Sequence, residues 1–363
     1  MNALIAMSGG VDSSVAAKLM VDAGYTCAGC MMKLYANEDA GLSRAQTCCS
    51  LDDVEDARAV AYKLGIPFYV FNFQSEFREQ VIQKFVCSYE SGRTPNPCID
   101  CNRYLKFGKL YERARVLGFD CIVTGHYARI THDGRRYLLQ KALDPEKDQS
   151  YVLYGMTQEL LAHTRFPLGT FQKAQTREIA EKSGFLNAKK RDSRDICFVP
   201  NGDYASVVAR HAQHPCPPGD FVDTQGRVLG RHRGVIHYTV GQHRKLGLSL
   251  PEARYVCKID AVGNRVVLGA ESELYSREVA VSECNWISGD VPEHEFRCRV
   301  KIRYRQPEQW ATVIPTGSDT IRIVFDAPQR PGRPPSATTA TSCSEAAPYS
   351  SLIETCIFCM PML

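Results

Sequence analysis

The chain has 363 residues, which is long enough for two or three domains that each bury a core of their own. Its hydrophobic content of 44% and charged content of 23% are those of a soluble globular protein, and neither an apolar run long enough to cross a membrane nor a secretory leader is evident. The net charge of +4 is too small to indicate nucleic-acid binding by itself. Without a span or a leader we expect a cytoplasmic protein, and in such a reducing compartment the 16 cysteines favour catalysis or metal binding over disulfides.

Residues 1–200 alternate short apolar runs with helical patterns. Strands are predicted at Leu4–Met7, Tyr25–Met32, Phe68–Phe71 and Cys121–Thr124, and helices at Asp53–Leu64, Glu76–Glu90 and Tyr104–Leu117. Such repeated strand–helix units predict an α/β domain with a doubly wound parallel sheet, whose ligands bind at the carboxyl ends of the strands.

The first predicted strand ends in a glycine-rich turn, SGGVDSS, which covers Ser8–Ser14 and leads directly into a helical pattern. Free N–H groups and the positive end of a helix dipole meet at such a turn and predict a phosphate site, which Gly9 and Gly10 let the ligand approach closely. The turn is neither a Walker A loop nor a dinucleotide fingerprint. It resembles the pyrophosphate loop (PP-loop) of the ATP pyrophosphatases, which adenylate a substrate by cleaving ATP between its α- and β-phosphates. The simpler alternative is an ordinary strand–helix turn capped by Ser8 or Asp12.

Beyond Cys197 the pattern changes to short alternating strands separated by glycine and proline, which predicts small antiparallel sheets or barrels. We expect a central β-rich domain over residues 201–275 and an incomplete, β-barrel-like C-terminal domain over residues 276–330. The predicted strands are Val235–Val240, Tyr255–Asp260, Val266–Gly269, Glu278–Ser282, Phe296–Arg305, Trp310–Ile314 and Thr320–Phe325.

Residues 331–363 form an atypical tail that is rich in proline, serine and threonine and ends in apolar and cysteine residues. A disordered segment is one interpretation. The other is a frameshift just after Arg330, because Pro335–Tyr349 can be back-translated so that a neighbouring frame encodes AVRYDGDVVLGGGTI and a stop. That string has the alternation and the Asp-Gly turn of a β-hairpin, so this hypothesis holds that the last strands of the domain are missing here.

Two segments carry thiols in settings that favour chemistry. Arg93–Asn102 has the sequence RTPNPCIDCN directly before a predicted helix, whose N-terminus would lower the pKa of a thiol at Cys98 or Cys101. Structural zinc is the alternative, since Cys-x-x-Cys is half of a tetrahedral site. The other cysteine pairs, Cys27/Cys30 and Cys356/Cys359, lie on a predicted buried strand and in the atypical tail.

The second thiol segment is Lys189–Phe198, KKRDSRDICF, which places Cys197 after a strongly basic stretch. Lysine and arginine neighbours stabilise a thiolate or a persulfide and would also meet a polyanion. The alternative is a cysteine packed in the core.

A predicted strand near the C-terminus carries a basic stripe. Alternation places Arg297, Arg299, Lys301, Arg303 and Arg305 on one face and apolar side chains on the other. Five neighbouring cations repel one another unless phosphates screen them, which indicates nucleic-acid binding, whereas a merely solvated face usually mixes charges of both signs. A weaker basic segment in the central domain comprises Arg231, His232, Arg233, His243, Arg244 and Lys245.

Over residues 1–330 the chain resembles the bacterial tRNA-specific 2-thiouridylases, whose motifs it carries in the same order. These motifs are SGGVDSS, CCSLDDVEDAR (Cys48–Arg58), SGRTPNPCIDCNRYLKF (Ser91–Phe107), TGHYAR (Thr124–Arg129), KDQSYVLY (Lys147–Tyr154), RDSRDICF (Arg191–Phe198) and RYRQP (Arg303–Pro307). The resemblance implies that residues 1–200 form a PP-loop ATP pyrophosphatase (adenylation) domain. It also implies that the protein makes 2-thiouridine at the wobble position, position 34, of tRNA.

The resemblance further assigns roles to individual residues. Cys101 would be the nucleophile and Cys197 the persulfide carrier, with a Cys101–Cys197 disulfide formed on sulfur transfer. ATP would be bound by Ala6, Met7, Ser8, Gly9, Gly10, Val11, Asp12, Ser13, Met32 and Gly125. The target base and other parts of the tRNA would be contacted by Asn96, Pro97, Cys98, His126, Lys147, Asp148, Gln149, Arg303 and Tyr304.

The implied chemistry requires cofactors and partners. Uracil O2 is a poor leaving group, so ATP would first adenylate it with loss of pyrophosphate, and sulfur would then displace AMP from C2. Mg²⁺ would neutralise the phosphates, with Asp12 as a candidate ligand. A cysteine desulfurase or a sulfur relay protein would load Cys197, and a tRNA with an unmodified wobble uridine would present its base from the anticodon loop.

One position departs from the family pattern, because some members carry a proposed acid/base aspartate where this chain has Cys98. Cys98, Cys101 and Cys197 could instead hold an iron–sulfur cluster with one open iron. Two other functions remain open. An ATP-pyrophosphatase ligase acting on a small molecule would leave the thiol motifs and the basic strand unexplained, and a non-enzymatic zinc-bearing RNA-binding protein would leave SGGVDSS unused.

Overall fold

The computed structural model describes residues 1–40, 51–192, 196–199, 202–212 and 214–330. The frameshift hypothesis, Cys356/Cys359, and the motif residues Cys48–Ser50 and Ser193–Asp195 lie outside these residues. The chain divides into two compact units: residues 1–80, 100–202 and 286–290 form the first, and residues 81–99, 203–285 and the described part of 291–363 form the second. None of the helices within the described ranges has the length and apolar character needed to span a bilayer.

The helices are given in chain order. They are Val11–Asp22 (α1), Asn37–Ala40 (α2), Leu51–Lys63 (α3), Gln74–Phe77 (α4), Gln83–Glu90 (α5), Pro97–Asp100 (α6), Leu110–Val116 (α7), Gln158–Ala162 (α8), Lys173–Lys182 (α9) and Tyr204–His211 (α10). Residues Arg78–Ile82 and Cys101–Lys109 are π-helical and join α4 to α5 and α6 to α7, while Ser150–Leu153, Pro167–Thr170, Val235–His237 and Glu271–Leu274 are 3-10 turns.

The three predicted helices are present, but one of them begins earlier than expected. The helix predicted from Tyr104 starts at Pro97, so Cys98 and Cys101 lie inside the helical stretch and not before it. The reason is local, because the Asn96 side chain accepts a hydrogen bond from the Cys98 N–H at 3.2 Å and Pro97 occupies the first helical position. An asparagine cap followed by proline is a strong helix start.

The first unit contains strands Asn2–Ala6 (β1), Thr26–Lys33 (β2), Phe68–Asn72 (β3), Cys121–Val123 (β4), Ala128–His132 (β5), Tyr137–Lys141 (β6) and Thr164–Arg165 (β7). Five of them form a parallel sheet in the order β3-β2-β1-β4-β7, which confirms the predicted doubly wound sheet. The interior strands are buried over almost their whole length, as expected for a parallel sheet. The order reverses at β1, so the carboxyl ends of β1 and β4 flank the switch point at which such sheets bind ligands.

A hairpin that the sequence analysis did not predict follows β4. Strands β5 and β6 pair antiparallel, with Ala128 opposite Lys141 and His132 opposite Tyr137. The hairpin brings the segment after β4 back towards the sheet, where Gly169 lies so close to the Ala128 carbonyl that a Cβ would be 1.9 Å from its oxygen.

The second unit contains two four-stranded sheets. One comprises Gly219–Asp223 (β8), Val228–His232 (β9), Tyr255–Asp260 (β10) and Arg265–Gly269 (β11) in the order β10-β11-β8-β9. The other comprises Ser276–Val281 (β12), Phe296–Val300 (β13), Gln309–Pro315 (β14) and Ile321–Gln329 (β15) in the order β12-β15-β14-β13, and it is antiparallel. The prediction of antiparallel sheets is wrong at one place, since β11 pairs parallel with β8.

Two predicted strands need correction. Val235–Val240 is not a strand but begins with a 3-10 turn, because Val235 and Ile236 are both buried as neighbours, which an alternating strand with one buried face does not allow. The strand predicted over Phe296–Arg305 ends at Val300, and a turn follows.

Candidate active site

The PP-loop joins β1 to α1. Gly9 has a φ of +72°, and a Cβ there would lie 2.5 Å from the Asp53 carbonyl oxygen in α3, so only glycine fits this backbone. Ser13 accepts a hydrogen bond from the Ser8 N–H at 3.1 Å, and the Ser13 and Ser14 hydroxyls both donate to the Gly10 carbonyl at 3.0 Å. Both hydroxyls therefore hold the loop in shape, and the N–H groups of the first turn of α1 face the space above it.

The structure places the loop at the switch point of the sheet. Strand β1 pairs with β4, and Gly125, which follows β4, lies directly against the first turn of α1. A Cβ on Gly125 would lie 2.8 Å from the Asp12 carbonyl carbon and the Ser13 nitrogen. Two glycines from different strand ends therefore let the backbone pack closely around the PP-loop and the first turn of α1. The contact of Gly9 and Gly125 with ATP stays a prediction.

Asp12, in the first turn of α1, is held by two groups that the sequence analysis did not identify. The Lys173 ammonium donates to both of its carboxylate oxygens at 2.7 and 2.8 Å, and the Tyr127 hydroxyl donates to one at 2.9 Å. The Tyr127 oxygen also lies 2.9 Å from the Thr176 hydroxyl, and burial followed by the Asp12 charge raises the pKa of Tyr127. Tyr127 is thus a neutral donor to Asp12.

A second carboxylate, Asp192, collects three cations beside the loop. Lys147 and Lys173 approach it at 2.9 and 2.8 Å, and Arg177 donates to it at 2.8 Å. Partial burial raises its pKa, but the lysine bonds outweigh that effect and lower the pKa to about 2. Lys173 therefore links Asp12 to Asp192, and three cations for two carboxylates leave a surplus positive charge beside the phosphate site.

The segment that contains Asp192 also holds the PP-loop directly. Asn187 donates to the Gly9 carbonyl at 3.0 Å and to the Ser14 hydroxyl at 2.9 Å. Lys190 donates to the same carbonyl at 3.2 Å and binds Asp53 and Asp56 at 2.6 Å each. Partial burial lowers the pKa of Lys190, but the hydrogen bonds and charges of the two carboxylates raise it by more. The net pKa is therefore raised, and Lys190 stays charged.

Cys197 is anchored to the same unit by aromatic packing. The Tyr35 hydroxyl donates to the Cys197 carbonyl at 2.7 Å, and Tyr35 and Phe77 pack around Phe198 with ring centroids 6.5 and 5.5 Å away. Tyr35 follows the carboxyl end of β2 and Phe77 follows that of β3, so half-buried Cys197 lies at the sheet edge that carries the PP-loop.

Cys101 begins the π-helical part of the stretch that precedes β4 and is 8% exposed. Its neighbour Asn102 donates to the Val152 carbonyl at 2.9 Å, which fixes this turn to the segment that follows KDQS. A helix that precedes a parallel strand starts at the carboxyl edge of the sheet, so the Cys101 end of this helix lies at that edge. The other half of the thiol motif differs, since Cys98 is exposed and Asn96 and Pro97 are buried.

The remaining residues that are predicted to bind ATP differ in their exposure. Met7 and Val11 are 2% and 4% exposed and pack into the apolar core, so they can meet a nucleotide only through their backbone. Ser8 is exposed, while Ala6 and Met32 are half-buried at the carboxyl ends of β1 and β2.

His126 and the Lys147–Gln149 segment support the fold around the site. The His126 ring lies between Phe107 and Phe166, its Nδ1 is 2.7 Å from the Thr124 hydroxyl, and burial followed by the Lys106 charge lowers its pKa well below the usual value. Gln149 accepts from the Tyr127 N–H at 3.0 Å. The Asp148 carboxylate accepts hydrogen bonds from the N–H groups of residues 142 and 150 and from the hydroxyl of residue 150. A role of these residues towards tRNA stays a prediction.

In the second unit, the basic stripe is partly neutralised within the protein. Alternation holds for Arg297 and Arg299, which are exposed on β13, but the strand ends before Lys301. Arg297 binds both oxygens of Asp326 on β15 at 2.6 and 2.7 Å, so the expectation of five unscreened cations is wrong. Both arginines lie over Trp310, at 5.8 and 5.3 Å. Arg303 and Tyr304 lie in the turn after the strand, where Lys301 approaches the Tyr304 ring at 5.7 Å.

Within the described ranges, no three His, Cys, Asp or Glu side chains come together as a metal-binding group. Cys98, Cys101 and Cys197 are therefore not among any group of described residues that could ligate an iron–sulfur cluster. Mg²⁺ makes a smaller demand, since it is held by one or two carboxylates together with substrate phosphates. Asp12 as its ligand stays a prediction, and both of its carboxylate oxygens accept from Lys173 in this structure.

The sequence reasoning missed Tyr127, Lys173, Asn187, Lys190 and Asp192 as site residues. The PP-loop partners of the first four lie more than 100 positions away in the chain, and Asp192 is linked to the loop only through Lys173, so no local spacing could reveal them. The available signal was weaker. Tyr127 lies inside the TGHYAR motif, and the basic stretch from Lys189 contains Lys190 and Asp192.

Comparison with known proteins covers nearly all of the described chain. Family models match as a tRNA methyl transferase HUP domain over residues 1–201, a tRNA methyl transferase PRC-barrel domain over residues 206–270 and an aminomethyltransferase β-barrel domain over residues 276–331. These matches and the observed sheets confirm the predicted fold class.

Curated relatives match over the same extent. The tRNA-specific 2-thiouridylase MnmA of Acetivibrio thermocellus is 47% identical over 330 residues, which cover 90% of this chain and 92% of the relative. The corresponding proteins of Clostridioides difficile and Symbiobacterium thermophilum are 46% and 48% identical over 90% of this chain and 91% and 85% of their own length. With this identity over this extent, and with a PP-loop at the switch point of its sheet, the chain belongs to the family of tRNA-specific 2-thiouridylases.

Proposed function

We propose that this chain catalyses the ATP-dependent 2-thiolation of the wobble uridine, position 34, of tRNA. Uracil O2 is adenylated, persulfide sulfur is transferred to C2, and AMP and pyrophosphate are released. The observation that carries the proposal is the PP-loop at the carboxyl edge of a sheet to which the backbone of Cys197 is also anchored. The names of the curated relatives support tRNA as the substrate.

In the first step the N–H groups of the loop and the surplus lysines hold the phosphates of ATP. Lys173 is the residue best placed to neutralise the leaving pyrophosphate, because its side chain is only 12% exposed and its ammonium lies beside Asp12 in the first turn of α1. Asp12 would hold Mg²⁺, which supplies charge neutralisation on the phosphates when bound. Uracil O2 attacks the α-phosphorus, and the bond to the β-phosphate oxygen breaks as pyrophosphate leaves.

In the second step the terminal sulfur of a Cys197 persulfide attacks C2, and AMP leaves with the electrons of the C2–O2 bond. The Cys101 thiolate then attacks Sγ of Cys197, which breaks the persulfide bond, leaves sulfur on the base and forms a Cys101–Cys197 disulfide. A cellular thiol reductant resets both thiols. A sulfur-donor protein, a cysteine desulfurase or a sulfur relay protein in the cytoplasm, reloads Cys197.

We assign the adenylation chemistry to residues 1–200, and tRNA contacts to residues 201–275 and 276–330 together with Asn96–Cys98, His126, Lys147–Gln149 and Arg303–Tyr304. An iron–sulfur cluster has no ligand group among the described residues, and the two steps above proceed without one. Iron and acid-labile sulfide measured in anaerobically purified, active protein test that alternative directly, because a colourless and fully active enzyme excludes the cluster.

Pyrophosphate release from ATP, measured with and without unmodified tRNA, separates the proposed function from its alternatives. We expect release to depend on tRNA and 2-thiouridine to appear in the product RNA. Release without tRNA would favour a small-molecule ligase, and no release at all would favour a binding protein.

Replacing the sulfur carrier separates the two steps of the reaction. In Cys197→Ser, thiolation stops and tRNA-dependent pyrophosphate release continues. The control Cys87→Ser changes a half-buried cysteine outside the proposed machinery and keeps both activities. Full thiolation by Cys197→Ser would refute the persulfide role.

A further inference from the structure

The central domain carries a basic loop, residues Gly241–Gly247, to which the mechanism above gives no role. Its tip consists of three consecutive exposed residues, His243, Arg244 and Lys245. Within the described ranges neither Arg244 nor Lys245 has an acidic side chain within ion-pair distance, whereas Arg297 on the basic stripe binds Asp326. The loop therefore presents cations that the protein itself does not neutralise.

The shape of the loop is fixed by Gln242. Its side chain accepts from the Thr239 N–H at 3.2 Å and donates to the Arg244 carbonyl at 2.9 Å, so it spans the base and the tip of the loop. Main-chain bonds with Val256 at 2.7 and 2.9 Å tie the same segment to β10. These bonds fix the backbone that carries the cations of the loop.

Lys245 occupies a backbone conformation that a non-glycine residue adopts at a cost. Its φ is +60°, in the left-handed region, where an L-residue is less stable by about 1–2 kcal/mol. The following Leu246 is 8% exposed and anchors the turn, so the strained residue directs its charge outward between fixed neighbours. Strain kept at an exposed lysine points to a function of that residue.

The loop lies beside the segment that contains the residues assigned to the target base. Both belong to the second unit, and the Thr94 hydroxyl donates to the Thr239 hydroxyl at 3.5 Å at the base of the loop. Gly92 packs against Ile259 of β10, where a Cβ would lie 2.8 Å from its side chain. Asn96–Cys98 follow only a few residues after these contacts.

We infer that the basic loop binds the phosphate backbone of the anticodon-loop nucleotides that flank the target uridine. Nucleotides next to a base splayed towards Asn96–Cys98 carry their phosphates within reach of Arg244 and Lys245, and a fixed pair of cations sets the register of the strand without reading its bases. This inference rests on the proposed function, since it names how the same tRNA is held.

The test removes the charges and keeps the backbone. Arg244→Gln/Lys245→Asn suits it, because asparagine tolerates a positive φ. We expect affinity for an isolated anticodon stem-loop RNA, measured by fluorescence anisotropy, to fall roughly tenfold, and the slope of log Kd against log salt to fall by about 1.4, or 0.7 for each lost contact to a single strand. KM for tRNA should rise with kcat unchanged, and Gln242→Ala, which keeps every charge, should lower the affinity about threefold.

A charge-matched control is Lys18→Gln/Lys182→Gln, which removes two cations paired with Asp22 and Glu178 on helices of the first unit and should leave the salt slope unchanged. Wild-type affinity and slope in the loop variant, at an unchanged melting temperature, would overturn the inference. Unchanged RNA affinity with slower sulfur loading of Cys197 would also overturn it, in favour of a protein partner. Failure of the proposed function is distinguishable, because the wild-type protein would then show no tRNA-dependent pyrophosphate release, whether or not it binds the stem-loop.

Discussion

Replacing Lys173 by methionine tests the charge network that surrounds the PP-loop. The ammonium joins Asp12 and Asp192 at 2.7 and 2.8 Å, while Asp192 keeps Lys147 and Arg177 when it is removed. Methionine preserves most of the apolar stem, so the perturbation is the loss of one charge. We expect a modest loss of stability and a large loss of adenylation.

The magnitudes follow from burial. Breaking a fully buried ion pair costs about 3–5 kcal/mol, but the side chains of Asp12 and Asp192 are 32% and 30% exposed and their remaining partners and water still solvate them. A loss of about 1–2 kcal/mol in the free energy of unfolding is therefore expected. A fixed cation at a developing phosphate charge resembles an oxyanion-hole donor, so tRNA-dependent pyrophosphate release should slow by about 10²–10³-fold.

Two measurements check this prediction. Urea unfolding gives the stability change, and pyrophosphate release at saturating ATP and tRNA gives the rate. The control Lys182→Met lies on the same helix and loses only an exposed pair with Glu178, so both quantities should stay near their wild-type values. A Lys173→Met enzyme that releases pyrophosphate within about threefold of the wild-type rate would refute the role of the network in phosphate transfer.

Three further predictions concern the loop, the sulfur carrier and pH. Gly9 and Gly65 have similar φ values of +72° and +68°, but only at Gly9 would a Cβ meet backbone atoms. Gly9→Ala and Gly65→Ala should each lower the free energy of unfolding by about 1 kcal/mol through strain, and Gly9→Ala by about 1–3 kcal/mol more. Urea unfolding measures both losses, and equal losses would contradict the packing argument. Tyr35→Phe removes the bond to the Cys197 carbonyl, and we expect slower thiolation with unchanged pyrophosphate release; parallel loss of both rates would contradict it. Burial lowers the pKa of His126 well below 6.5, so the folded protein loses stability as the pH falls below 6.5, by up to about 1.4 kcal/mol per pH unit. His126→Gln should remove this contribution to the free energy of unfolding measured between pH 7 and 5. The same dependence of the free energy of unfolding on pH in both proteins would show that His126 does not titrate on unfolding.

The first unit was predictable where local pattern and fold agree. The strands from Asn2 and Thr26 are continuous apolar runs because parallel strands are buried on both faces, and the turn after Ala6 requires glycine for a reason that is visible locally. The helix from Pro97 was predicted too short because the Asn96 cap that starts it was not recognised in the segment before Tyr104.

The basic stripe shows what a one-strand pattern leaves out. Period two placed Arg297 and Arg299 on the exposed face correctly. Whether the charge of Arg297 is neutralised, however, depends on Asp326, which lies on the same face of the sheet on β15, two strands away. Charge balance on a sheet is a property of neighbouring strands, so it follows from the topology and not from the alternation within one of them.

The covalent chain itself limits how far Cys197 can lie from the nucleotide. Lys173 forms ion pairs with both Asp192 and Asp12, and Asp12 lies in the first turn of α1. Cys197 follows Asp192 by five positions in the chain. A fully extended stretch of that length spans at most about 18 Å between Cα atoms. The chain between Asp192 and Cys197 would by itself allow the Cys197 sulfur to point in any direction within this distance of Asp192. The Tyr35 bond and the packing of Phe198 remove most of that freedom and hold Cys197 at the carboxyl edge of the sheet, where we propose that the adenylated base lies.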